Sequence, residues 1–336
     1  MKIVTPLSNI DCYESLVEAG ADEFFCGVVP YGWLKKYNVS LPLNRREFLL
    51  DGCNITDMTS MKILSKLVEK HKIPVKITLN SQYYISKHHE FIIGLIKQLM
   101  DIGFTTFIIA DIALVALIRE RGINCNIHIS GETSTINHLS IHFLDQFNIS
   151  RYIFPAKTSI YEIKQSIINN KKKDTEFEAF MLNDWCSFLG AFCNTIHCDE
   201  MPHTCHIPYR NVRINDDSSR FEDSNRMFKI MAKIDESTDF NNSKAFYNLG
   251  KRKASFYKLG ENGCGLCKIL ELKEIGITHL KVVGRGNLLE RLINDVKNVK
   301  DIIGIAEDER NTKHFETTVK EKYFNNKCPD KCYYHE

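Results

Sequence analysis

The sequence predicts an α/β protein, a (β/α)8 TIM-like barrel with a cysteine-rich insertion between its seventh and eighth strands. Three observations lead there. Short β-rich segments alternate with helix-length amphipathic ones, which implies a parallel sheet. Eight such units make a barrel. The alternation breaks once, over roughly residues 184–266, where cysteines concentrate. A chain of 336 residues, 43% hydrophobic, can bury a core of that size. A doubly wound open sheet is the alternative, but no GxGxxG follows the first strand to support its nucleotide-binding form.

In order, the strands are expected at Lys2–Ser8, Glu23–Val28, Pro74–Ser81, Phe104–Asp111, Cys125–Ser130, Tyr152–Lys157, Glu176–Asn183 and His279–Val283. Each is short, rich in β-branched or aromatic residues, and bounded by polar or glycine positions. Helices are expected at Ile10–Ala19, which Gly20 ends, then Asp57–Lys72, His88–Ile102, Ala113–Arg121, Thr135–Phe147, Ser159–Asn169, Cys267–Ile275 and Asn287–Val299. A long polar stretch with Asn44, Arg45 and Arg46 separates the second strand from the second helix. The barrel is assigned to residues 1–303, including the insertion 185–267, and residues 304–336 to a charged tail. Residues 211–253 are polar and read as an excursion or lid.

Composition narrows the function classes. The formal charge of +2 gives no strong field for nucleic acid or an anionic membrane, and the lysine run at 171–173 reads as a solvated helix end. No apolar run approaches the ~18 residues of a membrane span, and the opening residues lack the apolar core of a signal peptide. A cytoplasmic protein is expected. Twelve cysteines in such a chain point to metal binding rather than disulfides, because cellular thiols keep them reduced. Cys12, Cys26, Cys53 and Cys125 read as small buried hydrophobes.

The insertion opens with WCSFLGAFCNTIHCDEMPHTCHIPYR, residues 185–210, and closes with GCGLC, residues 263–267. Cys186, Cys193, Cys198 and Cys205 lie within twenty residues, and Cys264 and Cys267 follow. Thiolates are soft ligands, and four around one point suit either tetrahedral zinc or an iron–sulfur cluster. Cys328 and Cys332 are a second metal pair or an addition to the main site. In a barrel the loop after strand seven sits at the C-terminal face, where barrel active sites lie. Asn80, Asp111, Ser130, Glu132, Lys157, Asp184, Lys281 and Arg285 collect there. Lys281 and Arg285 would clamp a carboxylate, Arg as a fork and Lys as a point charge. Gly284 and Gly286 would leave backbone amides free beside that anion, and His128 on strand five is a candidate proton donor or, equally, a satisfied histidine of the barrel interior.

GADEFFCGV (20–28), KITLN (76–80), HISGETSTIN (128–137), the C-x6-C of Cys186 and Cys193, and GITHLKVVGRG (276–286) together resemble peptidase family U32, the collagenase-like peptidases, over residues 1–300. The resemblance implies a 4Fe–4S cluster held by Cys186, Cys193, Cys205 and Cys264, with Cys198 and Cys267 as possible substitutes. Arg210 falls where the family's arginine follows its third ligand, whereas Tyr209 replaces a further cysteine. Ala156-Lys157 stands where the family has Arg-Glu, Glu132 where it has glutamine, and Leu189-Gly190 where it has Ser-Gly. These changes alter the charge at the barrel mouth.

The resemblance implies two activities: peptide hydrolysis, or oxygen-independent hydroxylation of a ubiquinone precursor or RNA base with oxygen drawn from prephenate. The second is preferred, because thiolates spent on a cluster are not nucleophiles and neither HExxH nor GxSxG occurs. Lys281, Arg285, His128, Glu132 and Asn80 are the catalytic candidates. The expected substrate is a small carboxylate-bearing molecule, a nucleobase or a peptide, with a homologous U32 chain or another metalloenzyme as a possible partner. A metal-stabilised peptide-binding module, with zinc in place of the cluster, is the non-enzymatic alternative.

Overall fold

A computed structural model describes residues 1–37, 42–45, 53–135, 137–186 and 257–334. Eight parallel strands close into a barrel: β1 (Lys2–Pro6), β2 (Glu23–Val28), β4 (Val75–Leu79), β5 (Thr106–Ile109), β6 (Asn126–Ile129), β7 (Arg151–Ile153), β8 (Glu176–Leu182) and β9 (His279–Val282). Closure comes from β1, which pairs with both β2 and β9. All eight expected strands form. A two-residue strand, β3 (Asn54–Ile55), pairs with the end of β2, and helix α2 (Tyr31–Tyr37) precedes it; both fall in the stretch the sequence leaves as polar connection.

The helices follow local chemistry. Helix α1 (Tyr13–Ala19) ends at Gly20 with φ +110°, a left-handed position that glycine fills without strain. The Asp57 side chain accepts the Ser60 N–H at 2.7 Å to cap α3 (Met58–His71), and Asp111 caps α5 (Ile112–Glu120) through Ala113 at 2.8 Å. Ser159 and Glu162 form a reciprocal capping box on α7 (Ile160–Ile168). Helices α4 (Ser86–Asp101), α6 (His138–Leu144) and α8 (Ile269–Glu274) complete the inner units.

Helix α9 runs from Leu289 to Asp308, and α10 (Thr312–Phe324) follows. The segment read as a charged tail after 303 is therefore folded: Phe315 and Val319 are fully buried, so one apolar face of α10 packs while its charges face outward. Two compact units emerge, Met1–Asn194 with Lys258–Glu336, and Thr195–Tyr257; nearly all of the second lies outside the described residues. Among the described residues no helix is long and apolar enough to cross a membrane.

Strand residues alternate between two cores. Ile3, Phe24, Cys26, Phe107, Ile109, Tyr152, Phe154, Leu280 and Val282 face the helices. Val4, Phe25, Ile108, Ile153 and Val283, with Phe180 against them, form a separate cluster inside the barrel. Below it lies a charged layer. Arg151, 1% exposed, donates to Glu23 at 2.8 and 3.1 Å, to Glu178 at 2.9 Å and to Glu176 at 2.7 and 3.0 Å, with His279 Nε2 at 2.8 Å. Above the cluster the barrel opens at the C-terminal ends of its strands.

Candidate active site

β9 runs into Val283-Gly284-Arg285-Gly286 at this open end. Gly284 has φ +108°, and a Cβ there would stand 2.1 Å from the Asn287 amide nitrogen; Gly286 has φ +86°. Only glycine tolerates that pair of turns next to so close a neighbour. They lay Arg285 across the mouth, where it is 7% exposed. Its Nη1 donates to Asn54 Oδ1 at 3.1 Å and to Thr78 Oγ1 at 3.3 Å. Gly27 makes the room: a Cβ there would sit 1.8 Å from Asn54 Oδ1 and 2.8 Å from Arg285 Nη1. The Thr78 hydroxyl donates onward to the Cys26 carbonyl at 3.1 Å, the Gly286 N–H donates to Ser8 Oγ at 3.0 Å, and the Cys53 thiol lies 3.8 Å from the Arg285 carbonyl.

A second cation and an acid stand nearby. After β6 the chain makes a tight turn over Gly131–Thr133, opened by Ser130, whose hydroxyl accepts the Glu132 N–H at 3.2 Å. A Cβ on Gly131 would lie 3.2 Å from both the Phe154 carbonyl and the Phe180 ring, so glycine lets this turn settle onto the barrel top. The Glu132 carboxylate stands 3.3 Å from Arg45 Nε. Asn80, just past β4, accepts the Arg45 backbone N–H at 3.1 Å. Burial raises the Glu132 pKa, and the charges of Arg45 and Arg285 counter that only in part. Two guanidinium groups around an acid that holds its proton unusually well can bind an anionic or amide-bearing ligand and supply a proton to it.

The expected residues divide by depth. Asn80, Glu132 and Arg285 meet at the mouth. Lys281 points into the barrel, bonded to Glu178 at 2.6 Å with its ammonium 3.9 Å from the centre of the Phe25 ring. Burial lowers its pKa, while Glu178 works the other way. His128 is 3% exposed, its Nδ1 without a hydrogen-bond partner. Burial first, and then the charges of Arg151 and Lys76, hold its pKa well below the usual histidine value; its neighbours are those of the charged layer, on the far side of the apolar cluster from Arg285. Asp111 is spent on capping and on the Tyr84 N–H at 2.8 Å. The Lys157 ammonium stands 5.4 Å over the Trp185 ring at the rim.

Cys186 is half-buried just past β8, and Cys264 is buried against the end of the same strand; the charge of each acts on the Tyr333 hydroxyl. Cys267 is half-buried. Cys193, Cys198, Cys205 and Arg210 lie outside the described residues. Arg45, Asn54, Thr78 and Gly27 belong to the mouth without having been singled out. The signal for Arg45 was present in the Asn44-Arg45-Arg46 run, where a long connection carries charge with no element of its own.

The sequence model for peptidase family U32 matches residues 8–336. The chain is 24% identical over 195 residues to tRNA hydroxylation protein P1 of Bacillus subtilis (strain 168), covering 57% of this chain and 41% of that protein. It is 28% identical over 127 residues to tRNA hydroxylation protein P of Escherichia coli (strain K12), covering 37% of this chain and 27% of that one. This chain therefore spans less than half the length of either relative. The solved structure of the U32 peptidase Mk0906 aligns with a TM-score of 0.39 at 9% identity, over 54% of this chain and 68% of that one.

Proposed function

This chain belongs to peptidase family U32, and from that membership we propose that it is an oxygen-independent hydroxylase that modifies a nucleobase in RNA at the barrel mouth. The observation that carries the reading is the Arg45–Glu132–Arg285 group, taken together with relatives named for tRNA hydroxylation. In this reading Arg285, held by Asn54 and Thr78, binds the carboxylate of the oxygen donor as a fork. Arg45 accompanies Glu132, whose carboxyl, its pKa raised by burial, is the group placed to exchange a proton with the ligand at the mouth. Trp185 and Lys157 at the rim supply a stacking face and a charge for an RNA strand. Work in the cytoplasm fits both an RNA substrate and the cysteine content.

The family resemblance implies a 4Fe–4S cluster, and the described thiols can be tested against it. Cys186 fits: a half-buried soft donor at the C-terminal end of β8, followed in sequence by Cys193, Cys198 and Cys205. Cys264 keeps different company, among Cys267, Cys328 and Cys332. A bound cluster supplies electrons or a Lewis-acidic iron. The mouth residues do the rest: they bind, orient and move the proton.

The experiment is complementation. The chain is expressed in a strain lacking its own tRNA hydroxylation protein, and tRNA nucleosides are analysed by mass spectrometry. One added oxygen on a tRNA nucleoside, lost in Arg285→Ala, supports the reading. Cleavage of collagen peptides with unchanged tRNA would move the chain to the family's peptidases.

A further inference from the structure

We propose that segment 331–334 is a strap that fixes the spacing of Cys186 and Cys264 for the iron–sulfur cluster, with Tyr333 as its positioning residue. The inference rests on the cluster that the family resemblance implies, and not on the hydroxylation.

The strap closes onto the end of β8 through backbone bonds. Cys264 forms an antiparallel bridge to Leu182, the last residue of β8, and a parallel bridge to Cys332. Its N–H donates to the Lys331 carbonyl at 2.9 Å, and its own carbonyl accepts the Tyr333 N–H at 3.0 Å. The strap is therefore registered on Cys264 itself, and it is what brings Cys332 beside that thiol. Side chains carry it across to Cys186. The Tyr333 hydroxyl donates to the Asn183 carbonyl, the Tyr334 hydroxyl to the Phe180 carbonyl at 2.7 Å, and the Trp185 indole N–H to the Cys332 carbonyl at 3.2 Å. Trp185 immediately precedes Cys186, so the strap bonds to both thiol-bearing turns.

The turn that leads to Cys186 needs such support. Asn183 and Asp184 are consecutive left-handed residues, at φ +67° and +46°, a conformation that residues with a side chain keep only where the surroundings over-determine it. The Asn183 N–H donates to the Gly263 carbonyl at 3.1 Å, and its amide to Asp295 of α9 at 2.8 Å and to the Val283 carbonyl at 3.2 Å. The Trp185 N–H donates to the Asn262 carbonyl at 2.8 Å. Gly263, at φ +137°, lets these groups meet. A Cβ there would stand 3.0 Å from the Tyr333 hydroxyl and from Trp185 Cβ, and 3.1 Å from the Asn183 carbonyl oxygen. The Tyr333 hydroxyl thus sits where the turn after β8 meets the turn before Cys264, near enough to both thiols for their charges to act on it.

The chemistry agrees. Cys186 is half-buried and Cys264 is 6% exposed, two soft donors at one strand end that suit a cluster. Groups that hydrogen-bond around a metal site orient its ligands, and losing one weakens metal binding roughly 10–100-fold. Tyr333 acts in this way, through the turn it holds. The strap also keeps water from the Cys264 turn, because Tyr333 and Tyr334 are both buried and a Cβ on Gly265 would lie 2.7 Å from the Tyr334 ring.

The test uses the full chain, purified without oxygen as wild type, Tyr333→Phe and Tyr334→Phe. Iron is measured, the chelator concentration that strips half of it is titrated, and the electron paramagnetic resonance of the reduced cluster is recorded. Tyr333→Phe keeps the ring and removes the bond to Asn183. Tyr334→Phe removes a bond of the same strap to Phe180, inside β8. The expected result is iron in all three, half-stripping of Tyr333→Phe at roughly 10–100-fold less chelator, and altered g-values in that variant alone. Tyr333→Phe that behaves as wild type overturns the proposal, and so do two equally labile variants, which would make the strap a general stabiliser. A wild type that holds no iron overturns it together with the cluster. If Tyr333→Phe fails to fold, Trp185→Phe, which removes the bond to the Cys332 carbonyl, is expected to show the same loss; wild-type stripping in that variant would also overturn it. No substrate is present, so failure of the hydroxylase reading leaves this result standing.

Discussion

Arg151→Met is the most informative stability test, because the charged layer beneath the apolar cluster depends on one guanidinium. Arg151 is 1% exposed and stands between Glu23 and Glu178, whose side chains are 4% and 0% exposed, with Glu176 at 38%. Methionine fills much of the volume and removes the charge. Lys281 remains for Glu178 at 2.6 Å and His279 for Glu23 at 3.3 Å, so the loss is partial. Breaking a buried pair by removing one partner costs about 3–5 kcal/mol, a large share of the ~5–15 kcal/mol by which domains are stable. The assay is urea unfolding across a pH series, read as the midpoint at unchanged slope. The pH dependence has a definite sign. Burial alone would raise both carboxyls, but Arg151 together with Lys281 or His279 holds Glu23 and Glu178 below the ordinary value of 4.5. Their depressed pKa values give stability that is fully present above that value and is lost as pH falls through the depressed ones. Without Arg151 much of that stability is missing at pH 7, so the gap between wild type and variant should be widest near neutrality and narrow below about pH 4.5. A loss under ~1 kcal/mol, or a gap that stays constant on acidification, would refute the reasoning.

Four further outcomes are expected. Gly27→Ala should push Asn54 aside and dislodge Arg285, since its Cβ would lie 1.8 Å from one and 2.8 Å from the other; on the proposed reading tRNA modification is lost while circular dichroism stays native. Glu132→Gln should lower the turnover rate by roughly 10²–10⁴-fold. Wild-type activity should fall as pH rises through the raised Glu132 pKa, and the glutamine variant should lack that limb. Gly94→Ala in α4 and Gly304→Ala in α9 meet no atom within 4 Å, so each should raise stability by ~0.5–1 kcal/mol in thermal or urea unfolding. On the proposed reading, removing iron with a chelator under anaerobic conditions should abolish modification and leave the barrel's far-UV spectrum unchanged, because the charged layer and both cores are held by side chains of the strands and helices.

The barrel was legible because its evidence is local and repeated. Each unit from Lys2 to Asn169 carries a β-rich run followed by a helix-length segment, and Asp57, Asp111 and Ser159 cap as their positions suggest. What stayed hidden depends on sequence separation. Nothing in the sequence near Asn54 tells of Arg285, 231 positions away, or near Glu23 of Arg151, 128 positions away. Lys281 and Arg285 look alike in sequence, yet Lys281 lies within β9 and Arg285 lies past its end, beyond the turn at Gly284. That placement is the difference between a buried ion pair and a mouth residue. The fold after residue 303 escaped because Phe315 and Val319 are a thin apolar stripe among lysines and glutamates. The net charge of +2 is an average over the chain and carries no sign that Arg45 and Arg285 both act on Glu132.

The layering inside the barrel explains how one strand can serve stability and chemistry together. Arg151 on β7 and Lys281 on β9 neutralise acids from β2 and β8, and those charges sit under Val4, Phe25, Ile108, Ile153 and Val283. An apolar layer of that kind weakens screening by water and so strengthens the ion pairs beneath it. It also keeps those ion pairs from exchanging protons with a ligand above. Past Val283, Gly284 and Gly286 turn the same strand outward, and Arg285 meets Asn54, Thr78 and the field of Glu132. A titration at the mouth can then tune chemistry without altering the charged layer, which is why Glu132 variants should change rate and pH profile while Arg151 variants change stability. The two sets of measurements should be nearly additive in a double variant, as expected for sites without shared partners.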